Sequence, residues 1–257
     1  MEATALTVPA LALIGMLVAG GCATRAPTIA HTHVGHAMDG WHDTPDQAGL
    51  FVTAERTAQT ALQAAESASR AGNDLGAVKS DINLVIEATD PVDPSAEVQR
   101  PKVEYGVKNA LTGAVQHIEF AAESRDASAN IRSSAAAFSR HAVAVLDRCD
   151  LITGLGGDVL RADSSEVARL LADEILTLAR ANVYGEDSNG DGVVGSSPEE
   201  YGLMQLRAEL ESTIAREDPP YTTVERWYLF NLIRLPSGEW IFRQRSQGSS
   251  DGEYGGY

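Results

Sequence analysis

From residue 46 onward, apolar side chains return every three or four positions, the spacing of helices that bury one face. Over 46–71 the face is Leu50, Ala54, Ala58, Ala61, Leu62, Ala65 and Ala68. Val78, Ile82 and Val85 carry it over 75–88, which should end at Asp90-Pro91, since proline disfavours helix in the residue before it. A loop over 90–105 is followed by helices over 106–123 (Ala110, Leu111, Ala114, Ile118) and 127–155 (Ile131, Ala135, Phe138, Ala142, Val145, Cys149, Ile152). The latter is expected to stop before Gly156-Gly157. A fifth helix over 164–182 opens with Asp163 and Glu166 at capping-box spacing and presents Val167, Leu170, Leu171, Ile175 and Leu178. A sixth over 198–216 presents Leu203, Leu206, Leu210 and Ile214.

After Pro219-Pro220, Thr222 and Glu225 suggest a further cap before Trp227, Tyr228 and Phe230, whose spacing predicts a seventh helix. Pro236-Ser237-Gly238 predicts a turn, and Trp240-Ile241-Phe242 a short apolar hook. Residues 23–44 show no sustained period and predict a tether or arm, and 245–257 a Gly/Ser-rich disordered tail. The expected fold is an all-α bundle of about seven helices with few or no strands, over 45–244.

Composition narrows the partners. Of 257 residues, 36 are acidic and 20 basic, for a formal net charge of −16. Such a surface repels nucleic acid and has no polybasic grip on anionic lipid. Two cysteines make no disulfide scaffold, and Cys149, inside an apolar series, predicts a buried, inert thiol.

The N-terminal stretch carries an address. The apolar run Leu11–Ala19 has the length of a signal-peptide core rather than of a membrane-spanning helix. It leads into Ala19-Gly20-Gly21-Cys22, which resembles a bacterial lipobox, although Ala19 stands where Leu is usual and the start contains Glu2 and no basic residue. The resemblance implies removal of residues 1–21, acylation of Cys22 and a lipid-anchored chain facing the periplasm. Residues 22–44 would then be its His-rich tether, and the absence of Asp after Cys22 favours the outer membrane.

The most specific chemical motif is Asp187-Ser188-Asn189-Gly190-Asp191-Gly192-Val193-Val194, which resembles an EF-hand calcium loop. Asp187, Asn189 and Asp191 stand at positions 1, 3 and 5, where side-chain oxygens converge on a hard cation. Gly192 takes the turning position 6, Val193 offers its carbonyl at position 7, and Val194 is the residue that packs the loop. Position 12 departs from the pattern: it is Pro198, with Glu199 and Glu200 following. A loop two residues longer lets Glu200 coordinate from the start of the exit helix. Ser197-Pro198-Glu199-Glu200 is also a capping box, and Asp, Asn and Gly are turn formers in their own right. The affinity implied is weak, about 0.1–1 mM, as in extracellular modules.

Four histidines, His31, His33, His36 and His42, cluster before the bundle, with Asp39 and Asp43 among them. Imidazole with carboxylate suits Zn2+ or Cu2+, and His117 and His141, near apolar helix faces, offer interior ligands for metal or haem. Packing and solvation are the plainer reading of such histidines, since spacing alone does not make a site. There is no Gly-x-Ser-x-Gly, His-Glu-x-x-His or phosphate-cradling glycine loop. The expectation is therefore a non-enzymatic calcium-binding envelope lipoprotein. The alternative is a transition-metal or haem protein using the N-terminal histidines with His117 and His141.

Overall fold

The computed structural model describes residues 28–91 and 105–217, together with the backbone of 221–228 and 233–242. The signal segment, Cys22 and the 245–257 tail lie outside the described residues.

Among the described residues seven α-helices form a bundle: α1 (Ile29–Met38), α2 (Leu50–Arg70), α3 (Leu75–Thr89), α4 (Val107–Glu123), α5 (Ala129–Arg161), α6 (Ser165–Tyr184) and α7 (Leu203–Ala215). The long α5 packs against α3, α4, α6 and α7, while α2 packs against α3, α4 and α6. Every residue of the α2 face expected from the sequence is buried, and so are those of α5 and α7. Alanine dominates the α2 face, which lets neighbouring helix axes approach closely while still removing apolar area from water.

The seventh helix is not where the sequence pattern places it. Residues 29–38 of the expected tether are helical, with Ala30, Val34, Ala37 and Met38 buried against the bundle. The spacing 30, 34, 37, 38 is itself helical, but a helix of 10 residues, about three turns, gives a weak periodic signal. Capping from elsewhere in the chain holds α1: the Asp126 carboxylate accepts hydrogen bonds from the N–H groups of Ile29 (2.8 Å) and Ala30 (3.2 Å). Gly49 lets the chain turn back beneath α1, because a Cβ there would lie 2.5 Å from the Met38 carbonyl carbon.

At the other end, the residues expected as a helix after Pro220 form a strand. β1 (Tyr221–Tyr228) pairs antiparallel with β2 (Ile233–Phe242), from Tyr221 opposite Phe242 to Tyr228 opposite Ile233, with an irregularity between Thr223 and Glu225. Thr, Val, Tyr and Trp favour extended backbone, which outweighs the apparent Thr222–Glu225 cap. Pro236-Ser237-Gly238 and Trp240-Ile241-Phe242 fall within β2, not in a turn and a hook. Phe230 lies outside the described residues.

Two boundaries also move. α5 runs on through Gly156-Gly157 to Arg161, because Gly156 packs against α3, where a Cβ would come within 2.7 Å of the Ile86 side chain. α6 starts after Ser164, not at an Asp163 cap. Its buried face is Ala168, Ala172, Ile175 and Ala179, one position on from the expected one, leaving Val167 and Leu170 exposed. Close contact with the alanine face of α2 favours the smaller side chains there.

Candidate metal sites

The expected ion loop joins α6 to α7, and its neck is a tight backbone crossing. Gly185 has φ +77°, and a Cβ on Gly202 would fall 2.3 Å from the Gly185 nitrogen. Only glycine fits either position. Glu186 N–H donates to the Glu200 carbonyl at 3.0 Å and completes the closure.

Inside the loop, carboxylates gather backbone N–H groups. Asp187 accepts from Gly190 (2.8 Å) and Asp191 (3.1 Å) on Oδ1, and from Gly192 (2.9 Å) on Oδ2. Asn189 Oδ1 accepts from Asp191 N–H, and Asp191 Oδ1 from Val193 N–H, each at 2.8 Å. Gly192 has φ +84°, the left-handed conformation that position 6 requires.

Glu200 is the member that sequence spacing left open against Glu199. It opens no regular helix: Pro198–Glu200 is a single 3-10 turn, and α7 begins three residues later. Glu199 points to solvent, whereas the Glu200 side chain is fully buried and turned back into the loop. Its Oε2 accepts from Gly195 (3.0 Å) and Ser196 (2.9 Å), and Oε1 from Asn189 (3.4 Å). Ser196 Oγ stands 2.7 Å from Asp191 Oδ2 and 3.1 Å from Glu200 Oε2, linking the two acids. Burial pushes the Glu200 carboxyl up, but the Ser196 hydroxyl and the N–H groups of Ser196, Ser197 and Asn189 outweigh it and hold the group below the usual range. The Ser196 hydroxyl and Val193 N–H lower Asp191 in the same way. Val193 is exposed, and Val194, expected as packing, is 40% exposed and rests against Gly185.

One essential residue of this region escaped the sequence pattern. Arg148 of α5 is 7% exposed and donates to the carbonyls of Ala181 (3.2 Å), Tyr201 (2.9 Å) and Glu199 (2.7 Å). It thereby ties both sides of the neck to α5. Desolvation lowers its pKa from the ordinary guanidinium value.

The histidines sort into separate environments. His33 and His36 stand one turn apart on α1 and meet His117 of α4. One ligand-capable atom from each lies within 4.8 Å of the other two. His33 Nδ1 and His117 Nδ1 are 3.1 Å apart, so one donates to the other. The Trp41 ring lies 4.7 Å from both His36 and His117, and Phe120 lies 5.5 Å from His33. Desolvation first, then the neighbouring imidazoles, bring His117 down to about 4; desolvation with His33 and His42 also lowers His36. Buried His36 Nδ1 has no hydrogen-bond partner.

The other histidines have different company. His31 is buried, with Nε2 3.2 Å from Glu217 Oε2 and Nδ1 2.5 Å from Thr28 Oγ1. His42 pairs with Asp43 at 3.1 Å on the surface. His141 Nδ1 lies 2.8 Å from Glu209 Oε2, and its ring stacks on Tyr201. His141 therefore shares no site with His117, and the cavity lined by His31, Glu209 and Glu217 measures about 20 Å³, the volume of a water and not of a haem.

No family model matches the chain, and no curated protein or solved structure is similar to it.

Proposed function

We infer that the chain is a calcium-binding helical module, a binding or scaffold protein rather than an enzyme, held at a bacterial envelope membrane through Cys22. The observation that carries the calcium reading is Glu200: from two positions beyond the usual acidic ligand, its buried carboxylate turns back into the Asp187–Asp191 loop. Oxygen donors from Asp187, Asn189, Asp191 and Glu200, with the Val193 carbonyl, suit a hard cation that accepts irregular geometry. The ion's work is structural. It draws in the carboxylates of one loop, two of which already share the Ser196 hydroxyl, and pins the α6–α7 junction. The anchoring part of the reading is supported by the lipobox-like Ala19–Cys22 sequence.

A thermal melt in EDTA, Mg2+ and Ca2+ tests it. With Ca2+ at about 100 times its dissociation constant, linkage adds roughly 2.7 kcal/mol of stability. Asp187→Ala combined with Asp191→Ala abolishes the shift, and Glu200→Gln reduces it. A melt insensitive to Ca2+ at every concentration would reduce the loop to a hydrogen-bonded turn.

A further inference from the structure

We propose that His33, His36 and His117 form a second metal centre, separate from the Asp187–Glu200 loop, that takes a divalent ion of borderline softness, Zn2+ or Cu2+.

The geometry is close to what such an ion needs. Two nitrogens bound to one tetrahedral ion at about 2.0–2.1 Å lie roughly 3.3 Å from each other. His33 Nδ1 and His117 Nδ1 already stand 3.1 Å apart, with a nitrogen of His36 inside 4.8 Å of both. The present hydrogen bond between them occupies one proton and one lone pair. For an ion to bind, the donating ring takes its other tautomer, with the proton on Nε2, and both Nδ1 lone pairs are free to ligate. His36 Nδ1 is buried without a partner, an arrangement that folded proteins rarely leave unexplained, and it is one of the two ring nitrogens that can offer an ion a lone pair.

The donor set selects the ion. Three imidazoles without a carboxylate offer little to Ca2+, which binds through oxygen, and much to Zn2+ or Cu2+. The two sites would thus divide cations by hardness. His31, His42 and His141 are each engaged by an acidic partner and are outside the set. Trp41 and Phe120 pack beside the cluster in tilted and edge-on contacts that restrict the imidazole rings. Three protein ligands leave a fourth position for water. Because two ligands come from α1 and one from α4, the ion would also clamp the N-terminal helix to the bundle.

The test uses the full-length, untagged chain in mild detergent, stripped with EDTA and titrated with Zn2+ in millimolar Ca2+. One Zn2+ per chain is expected. His33→Gln, His36→Gln and His117→Gln should each weaken binding by at least about 100-fold, beyond the 10–100-fold effect typical of residues that only support a ligand. His42→Gln and His141→Gln should leave it unchanged. Cu2+ loading of the unaltered chain provides an independent measurement, needing no variant to fold: its paramagnetic resonance should show three equivalent-class nitrogen donors, and Trp41 fluorescence should be quenched. Zn2+ affinity in His33→Gln and His117→Gln equal to that of the unaltered chain, or a Cu2+ spectrum with fewer than three nitrogens, overturns the proposal. Either result leaves the calcium reading untouched, since loss of the Ca2+ melt shift is measured at other residues.

Discussion

Arg148 holds a buried positive charge using amide oxygens rather than a bonded carboxylate. Its guanidinium reaches three carbonyls from two chain segments at once, which a lysine, with one compact ammonium, does not do. Arg148→Lys should leave two or more buried carbonyls unpaired and cost about 3 kcal/mol in urea unfolding. It should also shrink the Ca2+-dependent melt shift, because Glu200 sits between two of the anchored carbonyls. A Ca2+ response of unchanged size would confine Arg148 to general stability. Periodicity finds apolar faces, so it flagged Cys149 and passed over its charged neighbour. Loop chemistry was easier: Asp187, Asn189 and Asp191 are adjacent in sequence and local in action. His117 gives a further prediction at this scale. Its folded pKa of about 4 lies below the ordinary 6.5, so as pH falls through that interval the unfolded chain takes up the proton first. Stability must therefore fall with pH across the window, and His36, shifted the same way, adds to the fall. Allowing for solvent screening, the His117 share is of order 1 kcal/mol. His33 and His36 are the titratable groups that act on it, while the depressed Glu200 and Glu217 act only lower, below their ordinary value of 4.5. Melts of the EDTA-treated chain between pH 6.5 and 4.5 should flatten in His117→Phe; an unchanged slope would assign the loss to other groups.

At the level of elements, the helices easiest to recognise were those with large apolar residues or long alanine runs, and the misplacements share a cause. α6 carries leucines on one face and alanines on the next, and hydrophobicity alone favours the leucines. Close approach to α2 requires the alanines, so Leu170 stays 57% exposed while Ala172 is fully buried. Substitutions should invert the expectation from hydrophobicity. Ala172→Leu overpacks the α2–α6 contact and should cost about 1–3 kcal/mol, whereas Leu170→Ala should stay within about 0.5 kcal/mol of the parent. Denaturant midpoints at constant slope would check both. α1 and the β1–β2 hairpin were missed for the complementary reason. Ten residues cannot sustain a helix alone, and α1 depends on the Asp126 cap and on burial against α4 and α2, contacts distant in sequence. The hairpin needs the pairing of β1 with β2, and strand propensity inside a run that also fits a helical period gave no local sign of it.

For the molecule as a whole, the docking of α1 changes what lipidation at Cys22 would mean. A tether over 22–44 would let the bundle range far from the bilayer. With Thr28 already capping a packed helix, only the chain from Cys22 to Thr28 remains as linker, at most about 20 Å when fully extended. The N-terminal face of the bundle, including the His33–His36–His117 cluster, would then lie near the membrane surface. Nothing in the charge of the chain draws it there: at −16 it is repelled by anionic headgroups. With Cys22 acylated, the acyl chains, at about 0.8 kcal/mol per buried CH2, would supply the attachment. Cys22→Ala should therefore move the protein from the membrane pellet to the soluble envelope fraction. Its melting temperature and Ca2+ response should not change, because Cys22 precedes every described helix. High salt should not release the parent chain, since attachment through acyl chains would be apolar. Retention of Cys22→Ala in the pellet would place the anchor elsewhere, and release of the parent by salt would replace the lipid with an electrostatic partner on another envelope protein.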